Sequence, residues 1–493
     1  MRDIKALKPE RVFHYFSEIA AIPHGSYNVS KISEYLENFG KSHSFETYRD
    51  ELDNVIIIKE ASQGYENEPP IIMQGHMDMV AVSKPELGID MLTTPLDLRV
   101  NEAEDYLYAE GTSLGGDDGI AVAYALAILE DDSLQHPRLE IVITTNEEVG
   151  MEGAAGIDLS MLKGNRLLNL DSEEEGIFLT GCAGGVRINC IIPSEIKCVS
   201  GTQFNIEIGG LKGGHSGEEI DKERGNSNCL AGRLLCEVQK ELNCSVYVVR
   251  LEGGLADNAI PRETAISLVI PTVDDISSDG IRQKLCKLIS AFESDISGEL
   301  SSKDPDCYCK LISSKQIKNI KACNATPFIN FLELAPNGVQ AMSGDVKGLV
   351  ETSLNLGIVS LDLNAGEMTA SYCVRSSIKT AKEELVNKLV RLTTLLGGSN
   401  TSSGDYPGWK YRADSPLRDK MIAVYKKLYN KEPEVMAIHA GLECGLLGDK
   451  ITDLDCVSIG PDMKDIHTTE EKLYISSTRR VYEYVCELLA TRD

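Results

Sequence analysis

Between residues 54 and 171 the chain alternates short runs rich in β-branched residues with one long apolar run, a pattern that narrows the fold more than any other feature. The short runs are NVIIIKE (54–60), IIMQ (71–74), LEIVIT (139–144) and LLNLD (167–171). The long run, GIAVAYALAILE (119–130), reads as a buried helix. Strands alternating with helices predict an α/β unit with a largely parallel sheet covered by helices.

After GCAGGVR (181–187) the texture changes. Residues 202–208, 245–251 and 265–270 read as strands, and 221–242, 279–292 and the stretch after Thr380 as helices. This predicts a second α/β unit with antiparallel strands. It ends near GGSNTSSG (397–404), a flexible linker by composition. Beyond that, 415–428 reads as helix and 455–459 as strand, so the first texture resumes. A chain of 493 residues is also too long for one ordinary core. The expected organisation is a discontinuous first domain, residues 1–186 and 401–493, with a second domain, residues 187–400, inserted into it. No internal repeat is visible.

The formal net charge of -27 disfavours nucleic acid and anionic membrane as partners, because both are polyanions. It is compatible with an enzyme that binds divalent cations. MRDIKALKPERVFHYFSEIA (1–20) lacks the apolar core of a secretory signal, and no apolar run is long enough to span a bilayer. The 14 cysteines are scattered, and the closest pair, Cys307 and Cys309, has neither zinc-knuckle nor redox spacing. The expectation is a cytoplasmic protein with reduced, mostly buried thiols.

Acidic and histidine residues stand where the predicted strands end. In QGHMD, His76 and Asp78 are two apart, so they share one face of a strand. A carboxylate beside an imidazole fixes its tautomer and improves it as a metal ligand; taken alone, the pair also reads as a satisfied polar pair. Asp117 and Asp118 lie in GGDDG at the start of the buried helix, where one aspartate would serve as a cap. Glu147 and Glu148 follow LEIVIT, either as a solvated turn or as a site where a cation offsets their repulsion. Asp171 terminates LLNL, while Glu173 to Glu175 read as exposed loop. His467, near the C-terminus, reads on its own as an ordinary surface or core histidine.

Together the positions form a donor set of nitrogen and oxygen. That suits Zn²⁺, Mn²⁺ or Co²⁺ and is unlike a soft thiolate site. Ligand loops at the carboxyl ends of a parallel sheet are where α/β folds build sites. Two metals sharing a bridging carboxylate need about this many ligands, and a spare carboxylate beside a ligand serves as general base.

Ten stretches carry a family resemblance: MQGHMDMV, GTSLGGDDGIAVA, TTNEEVGMEGA, NLDSEEEG, GCAGG, LKGGHSGEEI, RGNSN, DNAIPRE, YPGW and IHAGLECGLL, in order from Met73 to Leu447, with His467 beyond them. In these the chain resembles the M20 family of metallopeptidases, most closely its aminoacyl-histidine dipeptidase branch. The resemblance implies that His76 binds one metal, with Asp78 orienting it. It implies that Asp117 bridges two metals, that Glu147 is the general base, and that Glu148 binds the second metal. Asp171 would complete the first site and His467 the second. The inserted domain would be the family's lid and dimerisation domain, giving a homodimer. There His215 would stabilise the tetrahedral intermediate, in dimeric relatives from the neighbouring subunit. Asn258 and Arg375 would contact the substrate's backbone or terminal carboxylate. His439 and Glu443, four apart, read equally as a structural pair on one helix.

Two departures stand out. Asp118 occupies a position where this branch is expected to have asparagine, which adds a charge near the metals. GPDMKDIH, before His467, is less typical than the other motifs. The expected activity is hydrolysis of dipeptides, Xaa-His type and broad, with two divalent ions, zinc or alternatively manganese or cobalt. A tripeptidase, an aminoacylase or another N-acyl-amino-acid deacylase uses the same chemistry. A non-catalytic metal-binding protein would need the ligands but not Glu147.

Overall fold

The strand Ile71–His76, buried along its whole length, lies in the middle of an eight-stranded sheet. This is a computed structural model, and it describes residues 4–271 and 278–493. Ile71–His76 pairs in parallel with Leu139–Thr144 on one side and Arg166–Asn169 on the other. Arg166–Asn169 pairs in parallel with Asp455–Ser458. Parallel pairing holds for these central strands; Val55–Lys59 and Glu46–Arg49 extend one edge antiparallel, and Ile177–Cys182 pairs antiparallel on the other side.

Register decides where the site forms. His76 stands opposite Thr144, and Gln74 opposite Asn169. The loops that follow Thr144 and Asn169 therefore leave the sheet beside His76, and they carry Glu147, Glu148 and Asp171. The helix Gly116–Glu130 brings Asp117 from its first turn. Its residues from Gly119 to Leu129 are all buried, which an all-round apolar helix requires. Each large aliphatic side chain buried there contributes about 1.5–3 kcal/mol.

The chain divides into two units: Met1–Cys182 with Trp409–Ala437 and Leu442–Asp493, and Ala183–Gly408 with Ile438–Gly441. The second unit is a nine-stranded sheet whose recorded pairings are antiparallel, including Ile196–Gly209 with Thr264–Pro271 and Val350–Asp362 with Glu367–Ser376. The helices Ser227–Leu242, Ser278–Glu299, Thr326–Leu334 and Lys379–Leu395 supply Leu234, Phe292, Phe328 and Leu389 to its core.

Three expectations are corrected. GGSNTSSG is not a linker: Ser399–Tyr406 is an edge strand paired antiparallel with Gly184–Pro193. Its side chains are mostly exposed, so main-chain hydrogen bonding holds it and composition leaves no trace. The helix expected over 221–242 begins at Ser227. Ile220–Lys222 is a single 3₁₀ turn, and the Asn226 side chain caps the helix by accepting from the Asn228 and Cys229 N–H groups. The divisions placed at 186/187 and 400/401 fall inside Gly184–Pro193 and Ser399–Tyr406, and Ile438–Gly441 returns to the second unit.

Candidate metal centre

His76 is the last residue of its strand and is 1% exposed. Its Nδ1 lies 2.9 Å from the main-chain oxygen of Asp78 and 3.5 Å from Asp78 Oδ1. The main-chain carbonyl thus makes the closer contact, where the sequence suggested the carboxylate. With a proton on Nδ1, Nε2 is left as a donor atom for a metal. The Asp78 carboxylate holds something else as well. Oδ1 accepts the Glu147 N–H at 3.0 Å, and Oδ2 accepts the Ser26 hydroxyl at 2.8 Å. Burial opposes its charge, but His76, Ser26 and the Glu147 N–H together hold Asp78 below the usual carboxylate range.

Asp117 faces both histidines. Its Oδ1 is 3.1 Å from His76 Nε2, and its Oδ2 is 3.1 Å from His467 Nε2. Asp171 Oδ1 lies 3.6 Å from His76 Nε2, and Glu148 Oε1 lies 2.9 Å from His467 Nε2. Donor atoms of His76, Asp117 and Asp171 lie within 4.8 Å of one another, as do those of Asp117, Glu148 and His467, and those of His76, Glu147 and Glu148. The structure therefore brings His76, Asp117, Glu147, Glu148, Asp171 and His467 into one cluster, with Asp117 shared between two of the groups. Imidazole and carboxylate donors at this spacing fit borderline divalent ions such as zinc, manganese or cobalt.

The electrostatics are those of a crowded acidic basin. Burial disfavours a charged His76, yet Asp117, Asp171 and Asp78 raise its pKa well above the ordinary histidine value. Asp117 and Glu148 raise His467 to about 10. Burial raises Asp171 to about 6. Burial also raises Glu147 well above the carboxylate range, reinforced by Asp171, Glu443 and Glu148. Two histidines among these carboxylates hold protons where cations would bind.

Asp118 lies beside the His76 main chain. Its carboxyl is fully buried, and Oδ2 accepts the His76 N–H at 3.2 Å. Burial and the charge of Asp171 push its pKa well above the usual range.

His215, Asn258 and Arg375 belong to the second unit. The strands Gly214–His215 and Ala259–Ile260 pair, with His215 opposite Ala259, so LKGGHSG and DNAIPRE form one small ladder. Ser216 N–H donates to the Asn258 oxygen at 2.8 Å. Arg375 is 7% exposed, with Tyr406 Oη at 3.4 Å, and among the described residues no carboxylate pairs with it. His439 Nε2 lies 2.7 Å from Ser353 Oγ. A Cβ on Gly217 would meet the His439 oxygen at 2.9 Å, His215 Cε1 at 3.0 Å and Arg375 Cζ at 3.3 Å, so these groups converge on that glycine. Burial and then Arg375 lower both histidines, His439 to about 3. Arg375 thus lies buried beside two imidazoles whose protonation its charge opposes.

Residues 72–491 match peptidase family M20/M25/M40. The chain is 36% identical over 498 residues to the cytosol non-specific dipeptidase of Escherichia coli (strain K12), covering 99% of each. The chain belongs to peptidase family M20/M25/M40. As a member of this family it is a metallopeptidase, a hydrolase of peptide bonds. The solved aminoacylhistidine dipeptidase from Vibrio alginolyticus superposes with a TM-score of 0.90 at 32% identity, over 100% of this chain and 98% of that one. A tripeptidase from Staphylococcus aureus shares the fold, with a TM-score of 0.55 at 15% identity over 98% of each chain.

In this family member the sequence left several supporting residues unmarked. Glu443 is fully buried, and its Oε2 accepts from Gln74 Nε2 at 2.5 Å and Thr144 Oγ1 at 2.6 Å. Gln74 in turn accepts from Asn169 Nδ2 at 2.7 Å. One carboxyl group thus ties together the central strands beneath His76. Burial pushes it up to about 7. The expected helical pairing of Glu443 with His439 does not occur, because His439 follows the strand Glu434–Ile438 and Glu443 only precedes the helix Cys444–Lys450. A Gln or Thr inside an otherwise apolar buried strand is the local signal that could have marked this network. Ser26 carried none.

Proposed function

We propose that this protein is a metal-dependent dipeptidase that cleaves dipeptides broadly, Xaa-His among them. The observation that carries this reading is a single cluster in which Asp117 is shared by two donor groups, with the half-buried Glu147 beside His76 of one and Glu148 of the other. His76, Asp117 and Asp171 would hold one ion, and Asp117, Glu148 and His467 the other, with zinc as the proposed metal and manganese or cobalt as alternatives. Ions bound there acidify water and polarise a carbonyl oxygen. Glu147 takes the proton of the attacking water and delivers it to the leaving amine, a task suited to a carboxylate whose pKa is raised toward neutrality. Asp78 fixes His76 and the main chain of Glu147.

The resemblance assigns the oxyanion to His215 and the substrate's backbone or terminal carboxylate to Asn258 and Arg375. The buried guanidinium of Arg375, which pairs with no carboxylate among the described residues, supports a carboxylate partner. A homodimer through the inserted unit and a cytoplasmic setting complete the proposal. The printed name of the E. coli relative places that protein in the cytosol, and among the described residues no helix is long and apolar enough to cross a membrane.

The test is hydrolysis of a panel by the purified protein, with and without chelator, then with zinc or manganese restored. The panel holds an Xaa-His dipeptide, other dipeptides, a tripeptide and an N-acetyl amino acid. Chelator-sensitive cleavage of dipeptides with a free α-amino group is expected. Cleavage of the tripeptide or the acetyl substrate alone would move the protein to the tripeptidases or deacylases. No cleavage with two ions bound would make it a binding protein.

A further inference from the structure

Glu471 is a buried carboxylate that neither donor group uses. It is 4% exposed, and it accepts three successive main-chain N–H groups. Oε2 takes Leu114 N–H at 2.8 Å and Gly115 N–H at 3.2 Å, and Oε1 takes Gly116 N–H at 2.8 Å. Consecutive amides turned to one anion form a nest, and here the nest is the loop immediately before Asp117.

Glu471 also stands four residues after His467. The strands Met463–Lys464 and Lys472–Tyr474 pair, with Met463 opposite Leu473, and His467 lies in the loop between them. That loop is closed by its own contacts. Thr468 Oγ1 donates to the Asp465 oxygen at 2.6 Å, Glu470 N–H donates to Thr468 Oγ1 at 3.1 Å, and Lys472 Nζ donates to Asp465 Oδ2 at 2.7 Å. Those bonds shape the loop from within. Outward, Lys84 Nζ meets Glu470 Oε1 at 2.8 Å and His467 meets Asp117 itself, while Glu471 is the member whose side chain holds the main chain just before Asp117.

The two glycines of the nest have different reasons, and a Cβ on Gly115 would meet Met79 Sδ at 2.7 Å. Gly115 has a φ of 66°, and a Cβ on Gly116 would come within 3.3 Å of Glu471 Oε1 and 3.2 Å of Met463 Sδ. GGDD is thus built around an incoming carboxylate as much as around a helix start.

We propose that Glu471 is a positioning residue: by clamping the His467 loop to the Leu114–Gly116 nest, it sets the separation between Asp117 and His467 and so the affinity of the second ion. The inference rests on the two-ion reading above. A glutamine at this position keeps the shape but loses the charge and turns an N–H₂ group toward amide donors.

The test uses the full-length protein stripped of metal and titrated with Zn²⁺ against a chromophoric chelator, with the visible absorption of the Co²⁺-loaded form as a second readout. In Glu471→Gln the second ion is expected to bind about tenfold more weakly or worse, while the first changes little. The Co²⁺ spectrum should change only with the second equivalent. In a His467→Ala background the same substitution should add no more than about a twofold change, because both act on one separation. If Glu471→Gln does not fold, the titration is run on Glu471→Asp, which keeps the charge and shortens the reach. Wild-type affinity for both ions in the folded variant, or fully additive losses with His467→Ala, overturns the inference. Wild-type protein that binds fewer than two Zn²⁺ overturns the two-ion reading itself, and this inference with it.

Discussion

The main-chain N–H of Glu147 donates to Asp78 Oδ1 at 3.0 Å. The residue next to a metal-facing histidine thus also seats the proposed base. Asp78→Ala should disturb both and lower kcat/KM by about 10–100-fold, the usual effect of removing a partner behind a ligand. Asp78→Asn, which keeps one acceptor oxygen, should lose less. Steady-state kinetics beside metal analysis checks this, and an unimpaired Asp78→Ala enzyme would refute the seating role.

Glu147 and its neighbour should separate cleanly on substitution. Glu147→Gln is expected to retain both ions and lose about 10²–10⁴-fold in kcat, the range of general base catalysis. Glu148→Ala should lose the second ion. Metal content after gel filtration, read with turnover, distinguishes them. Loss of metal from Glu147→Gln would make Glu147 a ligand.

The metal-free protein should show a pH dependence traceable to His467. Its folded pKa of about 10 lies above the ordinary histidine value near 6.5. The contacts with Asp117 and Glu148 therefore stabilise the fold fully below about pH 6.5 and are lost as pH rises through about 10. The melting-temperature difference between wild type and His467→Ala, both without metal, should shrink across that window. Metal affinity should run the opposite way and rise with pH, because binding displaces the proton. A constant difference across the window would rule out this pairing.

Gly75 leaves no room for a side chain. A Cβ there would stand 2.4 Å from Asp118 Oδ2 and 2.6 Å from Ala121 Cβ. Gly75→Ala should cost about 1–3 kcal/mol, the scale of overpacking in a closed core. Thermal denaturation of the metal-free protein reads it. Unchanged stability would mean that the helix Gly116–Glu130 shifts easily.

Arg375 should act on KM through the substrate's carboxylate. Arg375→Ala is expected to raise KM for free dipeptides by about ten- to hundredfold, as losing a charged hydrogen bond does. Against dipeptide amides it should change little. An equal effect on both substrates would place its role in the fold of its unit.

How much of this was legible beforehand varies with the range of the interaction. His76, Glu147, Glu148 and Asp171 were readable because each stands at the end of a local apolar run, and Asp117 because it stands just before one, boundaries that period and composition mark. His467 had no such run, and its φ of 59° in a hairpin loop leaves no mark in the residues around it. Ser399–Tyr406 looked like a linker because an edge strand is held by main-chain bonds that any side chain permits.

The sequence by itself determined the buried central strands, the buried helix and a donor set of nitrogen and oxygen, since burial and ligand chemistry are properties of single residues and short runs. Only the tertiary structure decided which strand ends coincide, that Asp118 is buried beside the His76 N–H, and that Glu443 and His439 share no helix. It alone brought Glu471 to the Gly116 amide, 355 positions away. A hydrogen bond to a main-chain N–H depends on where the backbone goes and scarcely on which residue carries it, so such contacts are absent from the sequence and appear when the chain folds.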